Sequence, residues 1–236
     1  MDNNSMHKKQ FQNIVFLIFL VLTSLTSAQQ IYVGIGLSRG AAFEDYKNSF
    51  GENTLNDDGF SKSIDPILEG GFRFNIYKQR LKMDFGVQYH EHQINTSFYA
   101  GNIRVPTTYN LDYVGLKTGF TFVILSWRKA IIQTHVHVSN DLLIFGTNRY
   151  KDVIVDIYKE KTLNRNLFIL HRGIGLEYKI SDKISGYLNY TIASGSSGIN
   201  EDSTNGERYT LGSSGMRVGL LFNISKKKIK THNLRI

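Results

Sequence analysis

Runs of period-2 alternation follow one another along this chain, joined in turn by long polar segments and by links of three or four residues. The long segments are 40–66, 91–107, 140–163 and 195–206; the short links are Tyr77–Arg80, Ser126–Lys129 and Ser181–Lys183. Side chains alternate across a strand, so each run presents two faces, and a difference between them reports two different surroundings. Antiparallel strands joined in this way place every short link at one end of the sheet. A soluble barrel gains nothing from that segregation. A barrel crossing a bilayer has short turns on one side and longer loops on the other.

The segment 81–90 is the clearest run, with Leu81, Met83, Phe85, Val87 and Tyr89 against Lys82, Asp84, Gly86, Gln88 and His90. Similar runs cover 31–39, 67–76, 130–139, 166–180, 184–193 and 208–224. Between 108 and 125 the apolar parity shifts from Tyr109, Leu111 and Tyr113 to Val114, Leu116, Phe120 and Phe122, which a β-bulge near Tyr113–Val114 would produce. The total is eight, and most runs are near the 9–11 residues of a tilted transmembrane strand. The fold expected is an all-β, eight-stranded, antiparallel up-and-down transmembrane β-barrel.

Residues 1–28 read as a secretory leader: His7, Lys8 and Lys9, an apolar run from Phe11 to Leu25, and the small-residue site Thr26-Ser27-Ala28. The run Ile14 to Leu22 is too short for the roughly 20 apolar residues of a spanning helix. The barrel is assigned to 29–225 and a basic periplasmic tail to 226–236. The chain contains no cysteine, so disulfides and thiolate metal sites are excluded.

Alternation alone leaves open which face is inside, and a lipocalin-like soluble binding barrel would reverse the two. Gly34, Gly36, Gly71, Gly86, Gly173, Gly175 and Gly219 all lie on the polar face, which suits a crowded interior better than a surface. Aromatic residues fall near both expected interfaces, Tyr77, Trp127 and Tyr178 at one and Tyr89, Tyr109 and Tyr113 at the other, as in a membrane barrel.

The closing segment Arg217-Val218-Gly219-Leu220-Leu221-Phe222-Asn223-Ile224 resembles the assembly signal of small outer-membrane β-barrel proteins of Gram-negative bacteria, the class of the OmpA- and OmpX-type barrels. The resemblance covers 31–224. It implies a monomer in the cell outer membrane, contact with membrane lipids and lipopolysaccharide, and recognition of the last strand by the barrel-insertion machinery. Members often end on an aromatic residue of that strand; this chain continues from Ser225 to Ile236.

With the leader removed the net charge is +7. The expected periplasmic rim carries Lys78, Arg80, Lys82, Arg128, Lys129, Lys179 and Lys183, opposed mainly by Asp182, and the tail adds Lys226, Lys227, Lys228, Lys230 and Arg235. Such a rim suits phospholipid headgroups, or a periplasmic ligand held by the tail. The first long segment is acidic, with Glu44, Asp45, Glu52, Asp57, Asp58 and Asp65 against Lys47 and Lys62. Nucleic acid is not an expected partner of an exported chain.

On the inward face Glu69, Arg73, Lys82, Asp84, Lys117, Glu177 and Arg217 form a polar network, expected to pair because an unpaired buried ion is costly. His90, His92, His135, His137 and His171 share that face. No metal centre or cofactor is assigned; His90, His135, His137 and His171 are the ligands on which a metal would draw, and a histidine group could instead sense pH. No catalytic residue is assigned. His137, Ser139 and Asp141 alternate along one strand about 6.5–7 Å apart, too far for the contact a triad needs. The expected role is structural or surface interaction through extracellular loops, chiefly the first and third. A small gated channel and a lipid A-modifying enzyme are the alternatives.

Overall fold

The computed structural model describes residues 30–47, 61–78, 80–100, 103–151, 153–160, 163–197 and 208–224. The expected leader and basic tail lie outside them, as does the stretch 48–60 of the acidic first segment. The strands are β1 (Gln30–Lys47), β2 (Ser61–Lys62), β3 (Ile64–Tyr77), β4 (Leu81–Ala100), β5 (Ile103–Trp127), β6 (Ala130–Tyr150), β7 (Val153–Asp156), β8 (Asn166–Lys179), β9 (Ile184–Ser197) and β10 (Arg208–Asn223). A one-turn helix, α1 (Ile157–Glu160), follows β7.

Eight of these strands close a ring in the order β1–β3–β4–β5–β6–β8–β9–β10, every neighbour antiparallel. The ring shuts where Gln30 pairs with Asn223 and Leu37 with Met216. Closure removes the exposed strand edges that a bilayer cannot satisfy with water. The remaining strands extend the sheet at the far end from the short turns, β2 on β4 and β7 on β6. The fold is an eight-stranded antiparallel β-barrel.

Burial settles which face is inside. On β10, Val218 is 52% exposed and the adjacent Arg217 only 6%. Ile35, Leu37, Leu188, Tyr190, Ile174 and Leu176 likewise stand on the outer wall, while Glu69, Asp84, Lys117, His135 and Glu177 are buried. A soluble barrel has the reverse arrangement, so that alternative is overturned: only a nonpolar surrounding suits this exterior.

The glycines admit tyrosine rings to the narrow lumen. Gly34 pairs with Gly219 across β1–β10, and Gly71 with Gly86 across β3–β4. The Tyr187 ring lies on the first pair and the Tyr32 hydroxyl on the second. A Cβ on Gly219 would stand 2.5 Å from Tyr187 Cζ and closer still to the Val33 carbonyl. Gly219→Val should therefore displace Tyr187 and cost about 1–3 kcal/mol through overpacking, read as a lower denaturant midpoint for the folded, fast-migrating gel form.

Four expectations need correction. The segments 91–107 and 140–163 are not simply loops, since β4 and β5 run to Ala100 and from Ile103, and β6 reaches Tyr150. Their polar outer positions are those of a sheet that has left the bilayer. Asp65 is not part of a solvated loop but a buried residue of β3. Finally, β5 does not change phase near Tyr113: Leu111, Tyr113, Lys117 and Thr121 all point inward, and the register shift on β5 lies lower, at Ile124. The bulge at this height belongs to β6, where Asp112 pairs with Phe145 and Tyr113 with Leu143, leaving Ile144 over. Tyr77, Trp127 and Tyr178 do stand on the outer wall at the short-turn end, whereas Tyr113 is fully buried and does not mark an interface.

Candidate functional site

Strand parity sends one side chain in two into a lumen just wide enough for side chains to fill. Two carboxylates organise its centre. Glu69 on β3 accepts from Lys117 on β5, from Arg217 Nη1 on β10 at 3.2 Å and from the Tyr187 hydroxyl on β9 at 2.8 Å. Asp84 on β4 accepts from Arg73 Nε at 2.5 Å and Nη2 at 3.2 Å, from Thr121 Oγ1 at 2.6 Å, and pairs with His137 Nε2 at 2.9 Å. Toward the short turns, Lys82 Nζ donates to Glu177 at 2.9 Å, and Arg73 Nη1 lies 3.6 Å from the same carboxylate. Lys82, counted with the periplasmic rim from the sequence, is thus a buried lumen residue.

The histidines occupy the next tier. His90 Nε2 contacts Asp141 Oδ2 at 2.6 Å, and His90 Nδ1 contacts His92 Nε2 at 2.7 Å. His171 Nε2 meets Ser139 Oγ at 3.0 Å, and the Gln88 amide joins Ser139, Asp141 and His171. His135 pairs with Thr191 at 3.0 Å, its ring stacked on His137. Each imidazole therefore points at a different partner. Among the described residues no three His, Asp or Glu side chains converge as a metal site would require.

His137, Ser139 and Asp141 go separate ways, to Asp84, His171 and His90 respectively. The Ser139–His171 contact is a hydroxyl–imidazole pair, yet both residues are buried in the lumen, and His171 Nδ1 has no hydrogen-bond partner among the described residues to orient it. A cavity of 20 Å³, room for about one water, adjoins Gln88, His90, His92 and His171.

Above the histidines the interior turns apolar. Ile94, Leu111, Tyr113, Leu143, Leu167, Ile169, Tyr209 and Leu211 pack with Ile157 of α1 and with Leu163, both from the connection between β7 and β8. The Tyr113 and Tyr209 hydroxyls meet at 3.0 Å, and Tyr209 also donates to the Asn164 carbonyl at 3.0 Å. Asp156 holds α1 in place by accepting from the Lys159 amide at 3.0 Å, a bond that keeps its carboxyl below the usual range. At the opposite end a cavity of 760 Å³ opens among Lys78, Arg80, Lys179, Asp182 and Asn223 and reaches the Lys82–Glu177 pair.

The structure sorts the seven charged lumen residues into two clusters, Glu69 with Lys117 and Arg217, and Arg73 with Asp84, Glu177 and Lys82, and distributes the histidines over several contacts. Sequence reasoning passed over Gln88, Thr121, Tyr187 and Thr191, whose inward parity was readable, and the plugging residues Ile157 and Leu163, which follow no alternation. It also passed over Arg172, which shares the outward parity of Leu170 and Ile174.

No protein-family model and no curated protein matches this sequence. Solved structures with a similar architecture include the outer membrane protein OprG from Pseudomonas aeruginosa, 9% identical with a TM-score of 0.49 over 85% of this chain and 97% of that one. Neisserial surface protein A is 15% identical with a TM-score of 0.39 over 80% and 96%. The outer membrane protease OmpT from Escherichia coli is 7% identical with a TM-score of 0.42 over 84% and 97%.

Proposed function

We propose that this chain is a monomeric, integral barrel of a Gram-negative outer membrane that displays a rigid extracellular sheet as a surface for interaction and does not conduct. The observation that carries this reading is the doubly closed lumen, filled by paired charges at mid-height and stopped above by an apolar cluster that includes Ile157 and Leu163. The interaction surface is the wall of β4, β5 and β6. These strands have 20, 25 and 21 residues, against 14 in β8 and β9, far more than the roughly 9–11 that cross a bilayer. The excess, with β2 and β7, forms sheet rather than loop, so a ligand would meet pre-ordered backbone, which lowers the entropic cost of binding. The last strand, Arg217 to Ile224, is the segment the insertion machinery would read.

The channel reading draws on the 760 Å³ cavity at the short-turn end, and planar bilayers separate the two. The purified barrel should insert without unitary current steps, whereas steady steps would establish a pore. Absence of native cysteine makes the orientation testable on intact cells. Val153→Cys should react with a membrane-impermeant maleimide, and Lys78→Cys should react only after the outer membrane is opened. The converse pattern would invert the barrel.

A further inference from the structure

The lumen is not filled at its short-turn end. The cavity of 760 Å³ there is floored by the Lys82–Glu177 pair, which joins β4 to β8 across the lumen at 2.9 Å. Two residues closer to the mouth on the same two strands, and of the same inward parity, stand Arg80 and Lys179. The main chain fixes both: the Arg80 carbonyl accepts from the Val123 amide, and the Lys179 amide donates to the Lys129 carbonyl, each at 2.8 Å. Lys179 pairs with Ser185, which is buried in the lumen, so its side chain starts from the inner face. Strand tilt carries both residues the same way round the axis, and they stay opposed across the mouth.

This tier lacks what the tier above it has. Lys82 meets a carboxylate, whereas Arg80 faces a second cation, and neither the Arg80 nor the Lys179 side chain has a hydrogen bond or ion pair with another described residue. A lysine and a glutamate are long enough to bridge this span, so the longer pair below can both reach one anion between them. The cations that suit lipid headgroups are others: Lys78 lies over the Tyr77 ring at 5.2 Å and Arg128 over the Trp127 ring at 5.3 Å, both rings on the outer wall. Gln30, which also lines the cavity, makes a second demand. Its Nε2 donates to Asn223 Oδ1 at 2.7 Å, while its Oε1 is buried without a partner among the described residues. A buried acceptor in that state is costly until a donor such as a hydroxyl meets it. Asp182 borders the cavity too, yet its lining carries four cations to two carboxylates and is net positive.

We propose that this vestibule binds a small saccharide carrying a phosphate or carboxylate, with the anionic group between Arg80 and Lys179 and a hydroxyl donating to Gln30 Oε1. The guanidinium meets such a group with its planar fork and the ammonium as a point charge. Ser185 and Asn223, which share the lining, offer partners to further hydroxyls. The volume suits a ligand of this size, since small-molecule pockets span about 300–1,000 Å³. Because the lumen is closed above, the ligand is held and not passed. The site rests on the reading above for that dead end and for a periplasmic source of the ligand, but its binding chemistry is the same in either orientation.

Isothermal titration of the purified protein in nonionic detergent, with glucose 6-phosphate, glucuronic acid, glucose and inorganic phosphate as probes, tests it. Glucose 6-phosphate or glucuronic acid should bind at least tenfold more tightly than glucose and than inorganic phosphate. Whichever of the two is tighter identifies the preferred anionic group, and either result supports the site. Arg80→Gln with Lys179→Gln should abolish the margin over glucose. Lys78→Gln with Arg128→Gln on the outer rim should preserve it, as should Lys226→Gln with Lys228→Gln in the tail. Gln30→Met should weaken the anionic saccharide and leave inorganic phosphate unchanged. Absence of the margin in wild type, phosphate alone binding as tightly as the saccharide, or a double variant that binds as wild type does, would overturn the site. Gel mobility confirms barrel closure of each protein, and Lys179→Gln alone, which should also lower the affinity, serves if the double variant does not close. Unitary current steps from a protein that keeps the margin would overturn the closed lumen and leave the site standing, so the two readings fail separately.

Discussion

Glu69→Leu should destabilise the folded barrel by at least about 3–5 kcal/mol, the usual cost of removing one partner from a buried ion pair. Glu69 is 8% exposed and is the only carboxylate in the described lumen that meets both Lys117 and Arg217. Asp84 and Glu177 are engaged by Arg73 and Lys82, so the variant would leave two cations in the barrel without their counter-charge. Tyr187 would lose its acceptor as well. The full effect is a large share of the roughly 5–15 kcal/mol that holds typical domains folded. Urea titration of the folded, fast-migrating form should show a much lower midpoint or no folded form. The sharper check is a rescue: adding Lys117→Met and Arg217→Met should restore most of the stability, because apolar replacement of a whole buried ionic cluster is often neutral or better. A rescue that fails would mean that Glu69 acts through something other than charge balance.

The second large effect concerns the outer wall. Val218→Arg places a guanidinium into the apolar belt of β10, between Leu220 and Met216. At the bilayer midplane such a change costs about 2–4 kcal/mol. In a barrel whose exterior met water the same change would be an ordinary surface substitution worth within about 0.5 kcal/mol. Refolding into phosphatidylcholine vesicles, followed by guanidinium titration, should show the larger loss. A shift near zero would mean that Val218 does not face lipid.

The strands that cross the bilayer were legible because their two faces meet unlike surroundings. Leu81 to His90 alternates cleanly since lipid lies on one side and a polar lumen on the other. Higher up both surroundings change. Outside, Asp112 and Glu91 enter a polar zone; inside, Leu111 and Tyr113 enter the apolar plug. The contrast therefore inverts along an unbroken strand, and the inversion of parity at Tyr113–Val114 reads as a bulge although the backbone of β5 stays in phase. The same inversion makes 91–100 look like loop, because its outward Glu91, Gln93 and Asn95 are polar. The bulge at this height, at Ile144 on β6, sits between apolar neighbours and leaves no mark in composition. For the lumen, parity showed that Glu69, Lys117 and Arg217 face inward but not that they meet. That depends on the stagger of strands around the ring, which brings Lys117 of β5 and Arg217 of β10 to Glu69 of β3. Histidine partners escaped for the same reason, since His90 finds Asp141 two strands away.

The account stands on one claim, that a closed barrel turns its apolar parity toward lipid. Single nitroxide labels placed in turn at Met216 to Leu221 of β10 test it, the chain offering no cysteine of its own to compete. In vesicles, labels at 216, 218 and 220 should be mobile and relaxed by oxygen dissolved in the bilayer, and labels at 217, 219 and 221 immobile and shielded from it. Oxygen accessibility without that two-residue period, or highest at 217 and 219, would contradict the account.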